Sequence, residues 1–300
     1  MVGAAYARCL RIAQSHYENF PVASRLLPRR VRPHVAAIYA FARIADDFAD
    51  EGDRRPDARL SLLDDWQQRL DAAAEGRPGP DDGSDAAAIF LALSETMRTF
   101  ALERELFSNL LSAFRQDVVV NRYADWDELF DYCRRSANPV GRLVLRINGY
   151  RSEALDRQSD AVCTGLQLVN FWQDLAHDVR KGRIYVPLTT VRDAGADVDD
   201  LRRGRFTPAW SAALGVAAAR TEQCFLAGRG VADGVRGRLR YELRATWLGG
   251  MRILDQLRAV HFNVFASRPS LGLTDAAAIG ARTLAWRTTA ETPAPTGPSS

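Results

Sequence analysis

The chain has 300 residues, of which 47% are hydrophobic and 26% are charged. A chain of this size and composition buries a large core, which excludes a disordered protein and a small disulfide scaffold. Its 40 basic and 37 acidic side chains are interspersed and leave a net charge of +3, so charge alone indicates no nucleic-acid partner. The four cysteines stand far apart without a CxxC pair, which argues against a zinc site and favours a reducing cytoplasm.

Membrane insertion is not predicted. The N-terminal segment has no uninterrupted apolar stretch, so it does not resemble a secretory signal. The most apolar segments, such as 210–219, are much shorter than the roughly 20 residues that cross a bilayer. We therefore expect a cytoplasmic protein whose membrane contact, on the inner face, is peripheral.

Apolar residues recur at spacings of three and four along nearly the whole chain, and no segment alternates as a strand does. This pattern predicts an all-α fold. The predicted helices cover roughly residues 3–19, 32–52, 57–75, 85–97, 103–121, 126–149, 152–180, 207–228, 232–265 and 273–286. A single domain over 1–287 is then followed by 288–300, which is rich in Pro, Ser and Thr and is predicted to be a disordered tail.

Two segments interrupt this pattern. Pro139 lies inside the predicted helix 126–149, where the missing N–H predicts a kink or a break. The small residues after it fit either a close helix crossing or a bend that opens space for a ligand. Residues 193–207 are polar and contain Gly, which predicts a crossover between helices.

The predicted helix 32–52 carries an acidic stripe. At about 100° per residue, Tyr39, Arg43, Asp46 and Asp50 fall on one face, whereas Asp47 points elsewhere. An acidic helix end is commonly a solvated face, so this stripe alone is weak evidence for a site.

A second stripe, on the predicted helix 152–180, repeats the geometry with Gln167, Asn170, Asp174 and Asp178. Oxygen ligands without His or Cys suit a hard cation, and Mg²⁺ takes one or two carboxylates while leaving positions for a substrate phosphate. The repetition favours a shared metal site between the two helices.

Mg²⁺ at such a site would neutralise a diphosphate leaving group and leave a carbocation behind. Aromatic faces stabilise a cation in an apolar cavity. Phe20, Tyr39 and Tyr132 are the aromatic candidates.

Several motifs together resemble the head-to-head isoprenoid synthases, the family that includes squalene, phytoene and dehydrosqualene synthases. They are His16-x3-Phe20, residues 37–43 leading into Asp46-x3-Asp50, Tyr132 before Asn138-Pro-Val-Gly141, the stripe Gln167 to Asp178, and Lys181-Gly-Arg-Ile-Tyr-Val-Pro187. Residues 16–24 and 170–173 look most like the hydroxysqualene synthases of the bacterial hopanoid pathway.

The resemblance implies a helical bundle around a central cavity and a role for each motif residue. Two or three Mg²⁺ ions would be bound by Asp46, Asp50, Asn170, Asp174 and Asp178. Diphosphate contacts would come from His16, Asn19, Tyr39, Arg43 and Gln167, with Gln173 also on the substrate. Tyr132 and Phe20 would line the path of the cation. Arg183 and Tyr185 would shield the diphosphate, although they could instead contribute a helix-end salt bridge to Asp178 or to a neighbour.

Two departures from the family bear on the reaction. Gln173 stands where many condensing members have Arg, which removes a charge that would pair with a second diphosphate. Gly250 aligns with a Tyr of many members, which predicts an empty space that a water molecule fills. Arg268 lies within reach of a diphosphate, but no role is assigned to it.

The implied reaction is the Mg²⁺-dependent conversion of presqualene diphosphate to hydroxysqualene, with capture of the cation by water and without NADPH. The sequence has no strand followed by a GxGxxG turn, which is weak evidence against that cofactor. A condensing synthase that makes presqualene diphosphate or phytoene is the alternative enzyme. A non-catalytic, membrane-docked helical partner is the alternative of another class. Other hopanoid-pathway enzymes are expected partners, and nucleic acid is not.

Overall fold

The computed structural model describes residues 2–15 and 28–288, and over these ranges its regular elements are helices without a β-sheet. In chain order they are α1 (Val2–Ser15), α2 (Arg32–Asp50), α3 (Pro56–Ala74), α4 (Asp85–Phe100), α5 (Arg104–Val119), α6 (Trp126–Ser136), α7 (Asn138–Ile147), α8 (Glu153–Arg180), α9 (Leu188–Asp193), α10 (Val198–Arg202), α11 (Pro208–Gly228), α12 (Gly237–Ala259) and α13 (Leu273–Leu284). The predicted all-α fold is confirmed. The predicted site residues His16, Asn19 and Phe20 lie outside the described residues, as does the predicted tail from residue 289 onward.

The predicted helix 126–149 is two helices, because α6 ends at Ser136 and α7 begins at Asn138. Pro139 occupies the first turn of α7, where its missing N–H costs no helical hydrogen bond. The predicted break at Pro139 is therefore confirmed.

Two other predicted boundaries are wrong. The helix predicted over 232–265 is shorter, since α12 spans Gly237–Ala259. His261 and Phe262, just after its end, have positive φ angles that an α-helix does not accommodate, and Gly237, its first residue, also has a positive φ angle. The predicted crossover 193–207 contains α10, whose N-cap Asp197 accepts a hydrogen bond from the Asp199 amide.

The helices enclose two large hydrophobic clusters. One is built mainly from α1 to α5, where Phe41 lies among Trp66, Phe90 and Phe107 with ring centroids 5.5–6.1 Å apart. The other is built mainly from α6 and α8 to α12 and includes the fully buried Trp172 and Trp210. The two helices with acidic stripes, α2 and α8, belong to different clusters, so any site that they share lies where the two clusters meet.

Helix α7 crosses α8 at very short range. A Cβ atom on Gly141 would lie 2.3 Å from Ser159 Oγ and 2.5 Å from Cys163 Sγ, so only Gly fits this crossing. The Thr164 hydroxyl donates to Asn138 Oδ1 at 3.0 Å and fastens the same end of α7. None of the described helices has both the length and the hydropathy needed to span a bilayer.

Candidate functional site

A cavity of about 270 Å³ lies between α2, α5 and α7. Its lining is apolar except for Tyr39, Arg43 and Asp46, which α2 contributes. The lining residues are Val35, Ile38, Tyr39, Ala42, Arg43, Asp46, Leu110, Phe114, Val140, Leu143, Val144 and Ile147. The segment around Pro139 thus provides both a close crossing and room for a ligand, because α7 lines the cavity beyond Gly141.

In the first acidic stripe, Arg43 forms the ion pairs to the neighbouring carboxylates of α2. Its guanidinium lies 2.6 Å from Asp47 and 3.7 Å from Asp46, so the prediction that Asp47 points away from the stripe is wrong. Asp46 is left with the weaker contact. Burial, which outweighs the nearby Arg43 charge, raises the pKa of Asp46 to about 6.

The second stripe lies on α8 as predicted, and its four polar residues are all partly buried. Asp174 accepts a hydrogen bond from Arg268 Nε at 2.5 Å. Asp178 forms no ion pair among the described residues. Burial and the neighbouring Asp174 charge together raise the pKa of Asp178 to about 7.

Residues directly after α8 connect the second stripe to the first. Arg183 Nη1 lies 2.7 Å from Asp50 Oδ1, and Lys181 Nζ pairs with Asp50 Oδ2. Burial acts to raise the pKa of Asp50, but the bonds from Lys181 and Arg183 outweigh it and hold the pKa below its ordinary value. The ends of α2 and α8 therefore converge, and the ion pair of Arg183 is with Asp50 instead of Asp178.

The chemistry of the donors fits Mg²⁺, since α2 offers carboxylate oxygens, α8 offers carboxylate and amide oxygens, and Asp178 has no ion-pair partner among the described residues. Over residues 2–15 and 28–288, no three His, Cys, Asp or Glu side chains lie close enough together to hold a metal ion as they stand. Asp50 and Asp174 are engaged by Lys181, Arg183 and Arg268 instead. Metal binding would have to exchange these ion pairs for metal ligation.

An aromatic cluster stands beside the acidic groups. Tyr185 stacks on Phe171 with ring centroids 3.6 Å apart, and Tyr132 lies 6.1 Å from Phe171 and 6.3 Å from Tyr185. Tyr132 and Tyr185 are both buried, and burial raises the pKa of each phenol, so both stay neutral. The sequence analysis had missed Phe171 as a member of this cluster.

Asp117 is a further site residue that the sequence analysis missed. Tyr132 Oη donates to Asp117 Oδ2 at 2.9 Å, and Arg183 Nη2 donates to the Asp117 carbonyl oxygen at 3.1 Å. Burial, the main cause, raises the pKa of Asp117 to about 7. The one available signal was an Asp on the same face of α5 as Leu110 and Phe114.

Comparison with known proteins assigns the chain to a family. The sequence model of the squalene/phytoene synthases matches residues 13–275. The chain belongs to the squalene/phytoene synthase family. This membership confirms the resemblance that the motifs indicated, and it places the protein among the isoprenoid synthases.

Relatives within the squalene/phytoene synthase family include both hydroxysqualene synthases and phytoene synthases. The chain is 42% identical to a hydroxysqualene synthase of Zymomonas mobilis over 192 residues, which are 63% of this chain and 60% of that protein. It is 35% identical to a hydroxysqualene synthase of Sinorhizobium fredii over 248 residues, 82% of this chain and 81% of that protein. Among solved structures, squalene synthase HpnC from Alicyclobacillus acidocaldarius superposes with a TM-score of 0.80 at 38% identity and covers 87% of this chain and 96% of that one.

The two departures from other family members have structural counterparts. Gln173 Nε2 donates to the Pro269 carbonyl oxygen at 2.5 Å, so its amide fastens the segment that follows α12. Arg268, in that same segment, carries its guanidinium to Asp174. Arg268 therefore places a positive charge at Asp174, the residue that follows Gln173.

The expectation of an empty space at Gly250 is wrong. A Cβ atom there would lie 2.5 Å from Phe225 Cζ and 2.9 Å from Leu166 Cδ2. Phe225 is completely buried. Its ring fills the space beside Gly250, which leaves no room for a water molecule.

Proposed function

We propose that this chain converts presqualene diphosphate to hydroxysqualene, with release of diphosphate and addition of water. The observation that carries the proposal is the convergence of the two acidic helix ends, through Asp50, Lys181 and Arg183, beside an apolar cavity. A charged group next to an apolar cavity suits a substrate with a diphosphate head and a hydrocarbon body. The names of the relatives support the same reaction.

Mg²⁺, when bound by Asp46, Asp50, Asn170, Asp174 and Asp178, supplies Lewis-acid neutralisation of the departing diphosphate. The chain's own cations then have a second role. If Asp50 and Asp174 held a metal ion, Lys181, Arg183 and Arg268 would lose their present ion pairs and would be available, with Arg43, to bind diphosphate oxygens. Gln167 and Tyr39 lie on the faces of the two acidic stripes and complete the polar surroundings of the head group. Gln173, a further substrate-contact candidate, lies at the edge of the α8 stripe.

The carbocation that remains is stabilised by the rings of Tyr132, Phe171 and Tyr185, a cluster that the bond from Tyr132 to Asp117 joins to α5, one of the helices that line the apolar cavity. Aromatic faces attract a cation without reacting with it, and the apolar walls exclude bulk water until capture. Addition of water completes the reaction without a hydride donor, so we expect no requirement for NADPH.

Product analysis tests the proposal. Purified protein is incubated with Mg²⁺ and no NADPH, with presqualene diphosphate in one reaction and farnesyl diphosphate in another. We expect hydroxysqualene from the first reaction and no product from the second. Presqualene diphosphate or phytoene from the second reaction would assign the protein to the condensing branch. Absence of turnover of either substrate by folded protein would leave the non-catalytic alternative.

We also propose that the protein collects its apolar substrate at an anionic bilayer surface through α13. Leu273 and Leu284 are 91% and 77% exposed and, three turns apart, lie on one face of this helix. Near the end of α13, Arg229, Arg282 and Arg287 surround a hollow with Trp247 and Trp286, and none of the three pairs with a carboxylate of the described residues. Exposed leucines with adjacent arginines suit a surface of anionic lipid.

Replacing Leu273 and Leu284 together by Glu is expected to lower binding to vesicles of phosphatidylcholine and phosphatidylglycerol by about tenfold. Flotation of the protein with vesicles measures the bound fraction. Val216→Glu, which changes an exposed apolar residue on α11, is the matched control and should bind as the wild type does. Equal binding by all three proteins would contradict the assignment of α13.

A further inference from the structure

Water capture requires a proton acceptor, because the oxygen that bonds to a carbocation carries an extra proton until a base removes it. Most carboxylates of the candidate site are already engaged. Asp47 pairs with Arg43, Asp50 with Lys181 and Arg183, and Asp174 with Arg268. Asp46 and Asp178 are proposed metal ligands, which leaves Asp117.

Asp117 has one oxygen fixed and the other free. Oδ2 accepts the hydrogen bond from Tyr132, whereas Oδ1 is buried and has no hydrogen-bond partner within the described part of the chain. A buried acceptor without a donor is costly in a folded protein, which points to a donor that arrives with the substrate.

Asp117 lies one turn beyond the part of α5 that lines the cavity. Leu110 and Phe114 on α5 line the cavity, and Asp117 follows them on the same helix face without being part of the lining. Its bond to Tyr132 also joins it to the aromatic cluster proposed to hold the cation. Asp46 and Asp50 on α2 are near enough for their charges to raise its pKa further.

We propose that Asp117 is the general base of water capture, an inference that rests on the proposed function. A lone pair of the water oxygen forms the C–O bond to the allylic cation. One O–H bond of the resulting oxonium then breaks, its electron pair stays on the hydroxyl oxygen, and the proton moves to Asp117 Oδ1. The Tyr132 phenol holds the carboxylate in place through Oδ2. Because burial raises the pKa of Asp117 to about 7, the group can accept a proton and release it near neutral pH.

Asp117→Asn tests this role, since it keeps the shape of the side chain and an acceptor for Tyr132 but cannot take a proton. Two quantities are measured with presqualene diphosphate and Mg²⁺: the rate of diphosphate release and the hydroxysqualene formed per diphosphate released. We expect the rate of release to stay within about threefold of wild type and the hydroxysqualene yield per diphosphate to fall about tenfold or more. Asp65→Asn, an exposed Asp on α3 that pairs with Arg69, is the matched control.

An unchanged hydroxysqualene yield per diphosphate in Asp117→Asn would overturn the inference. An equal loss of diphosphate release in a folded variant would also overturn it, because Asp117 would then act before water capture. Asp117→Ala with added formate is the second variant, and recovery of hydroxysqualene yield with formate supports the role whereas no recovery opposes it. If the wild-type protein itself makes no hydroxysqualene, the proposed function is overturned, and the proposed role of Asp117 with it.

Discussion

Replacing Asp174 by Asn is expected to slow diphosphate release from presqualene diphosphate by about a hundredfold to a thousandfold. Asp174 lies in the middle of the second acidic stripe, and the amide of Asn is a much weaker Mg²⁺ ligand than a carboxylate. The variant should also show a smaller rise in melting temperature when Mg²⁺ is added, because a more weakly bound ligand stabilises the folded state less. Both the release rate and the melting temperature are measured.

The variant Arg268→Gln distinguishes two possible roles of Asp174, namely ligation of a metal ion and pairing with Arg268. This variant removes the guanidinium 2.5 Å from Asp174 and leaves the carboxylate intact. We expect its Mg²⁺-induced rise in melting temperature to be at least that of wild type, with a smaller loss of activity than in Asp174→Asn. If both variants lose activity equally and keep the wild-type response to Mg²⁺, Asp174 acts only as a partner of Arg268.

Helical periodicity made the architecture and the two acidic stripes predictable. Spacing alone places Asp46 with Asp50 on α2 and Asp174 with Asp178 on α8, because side chains three, four or seven residues apart share a helix face. The break at Pro139 was predictable for a similarly local reason, the missing N–H. Each of these features depends on the local geometry of one helix and not on tertiary contacts.

Contacts between distant segments were not predictable in the same way. Lys181 and Arg183 reach Asp50, and Arg268 reaches Asp174, only because the tertiary fold brings their segments together. Asp117 is a single acidic residue in α5 without a motif of its own, and its importance comes from Tyr132, which a different helix supplies. Ion pairs over such distances leave no periodic signal in one sequence.

Gly250, which aligns with a Tyr of other family members, shows why a missing side chain does not by itself predict empty space. From sequence, Gly in place of Tyr indicates vacant space, but vacant space in a protein interior is filled by neighbouring side chains. Here Phe225 of α11 occupies it against Leu166 of α8.

Phe225→Ala is expected to lower the free energy of unfolding by about 3–5 kcal/mol, because it removes a fully buried ring and leaves a cavity among α8, α11 and α12. Gly250→Ala should destabilise by about 1–3 kcal/mol for the opposite reason, since the new Cβ would lie 2.5 Å from Phe225 Cζ. Denaturant unfolding of metal-free protein measures both changes.

Gly249→Ala provides the matched control one residue away on α12. Its Cβ would meet only Leu271 Cδ1 at 3.5 Å, an ordinary contact, so the substitution should stabilise the helix by about 0.5–1 kcal/mol. In the Phe225→Ala background the ring that opposes a Cβ at position 250 is gone, so Gly250→Ala should no longer destabilise. The two substitutions are then non-additive, as expected for residues in direct contact. Additive effects in this double-mutant cycle would mean that the ring of Phe225 does not fill the space beside Gly250.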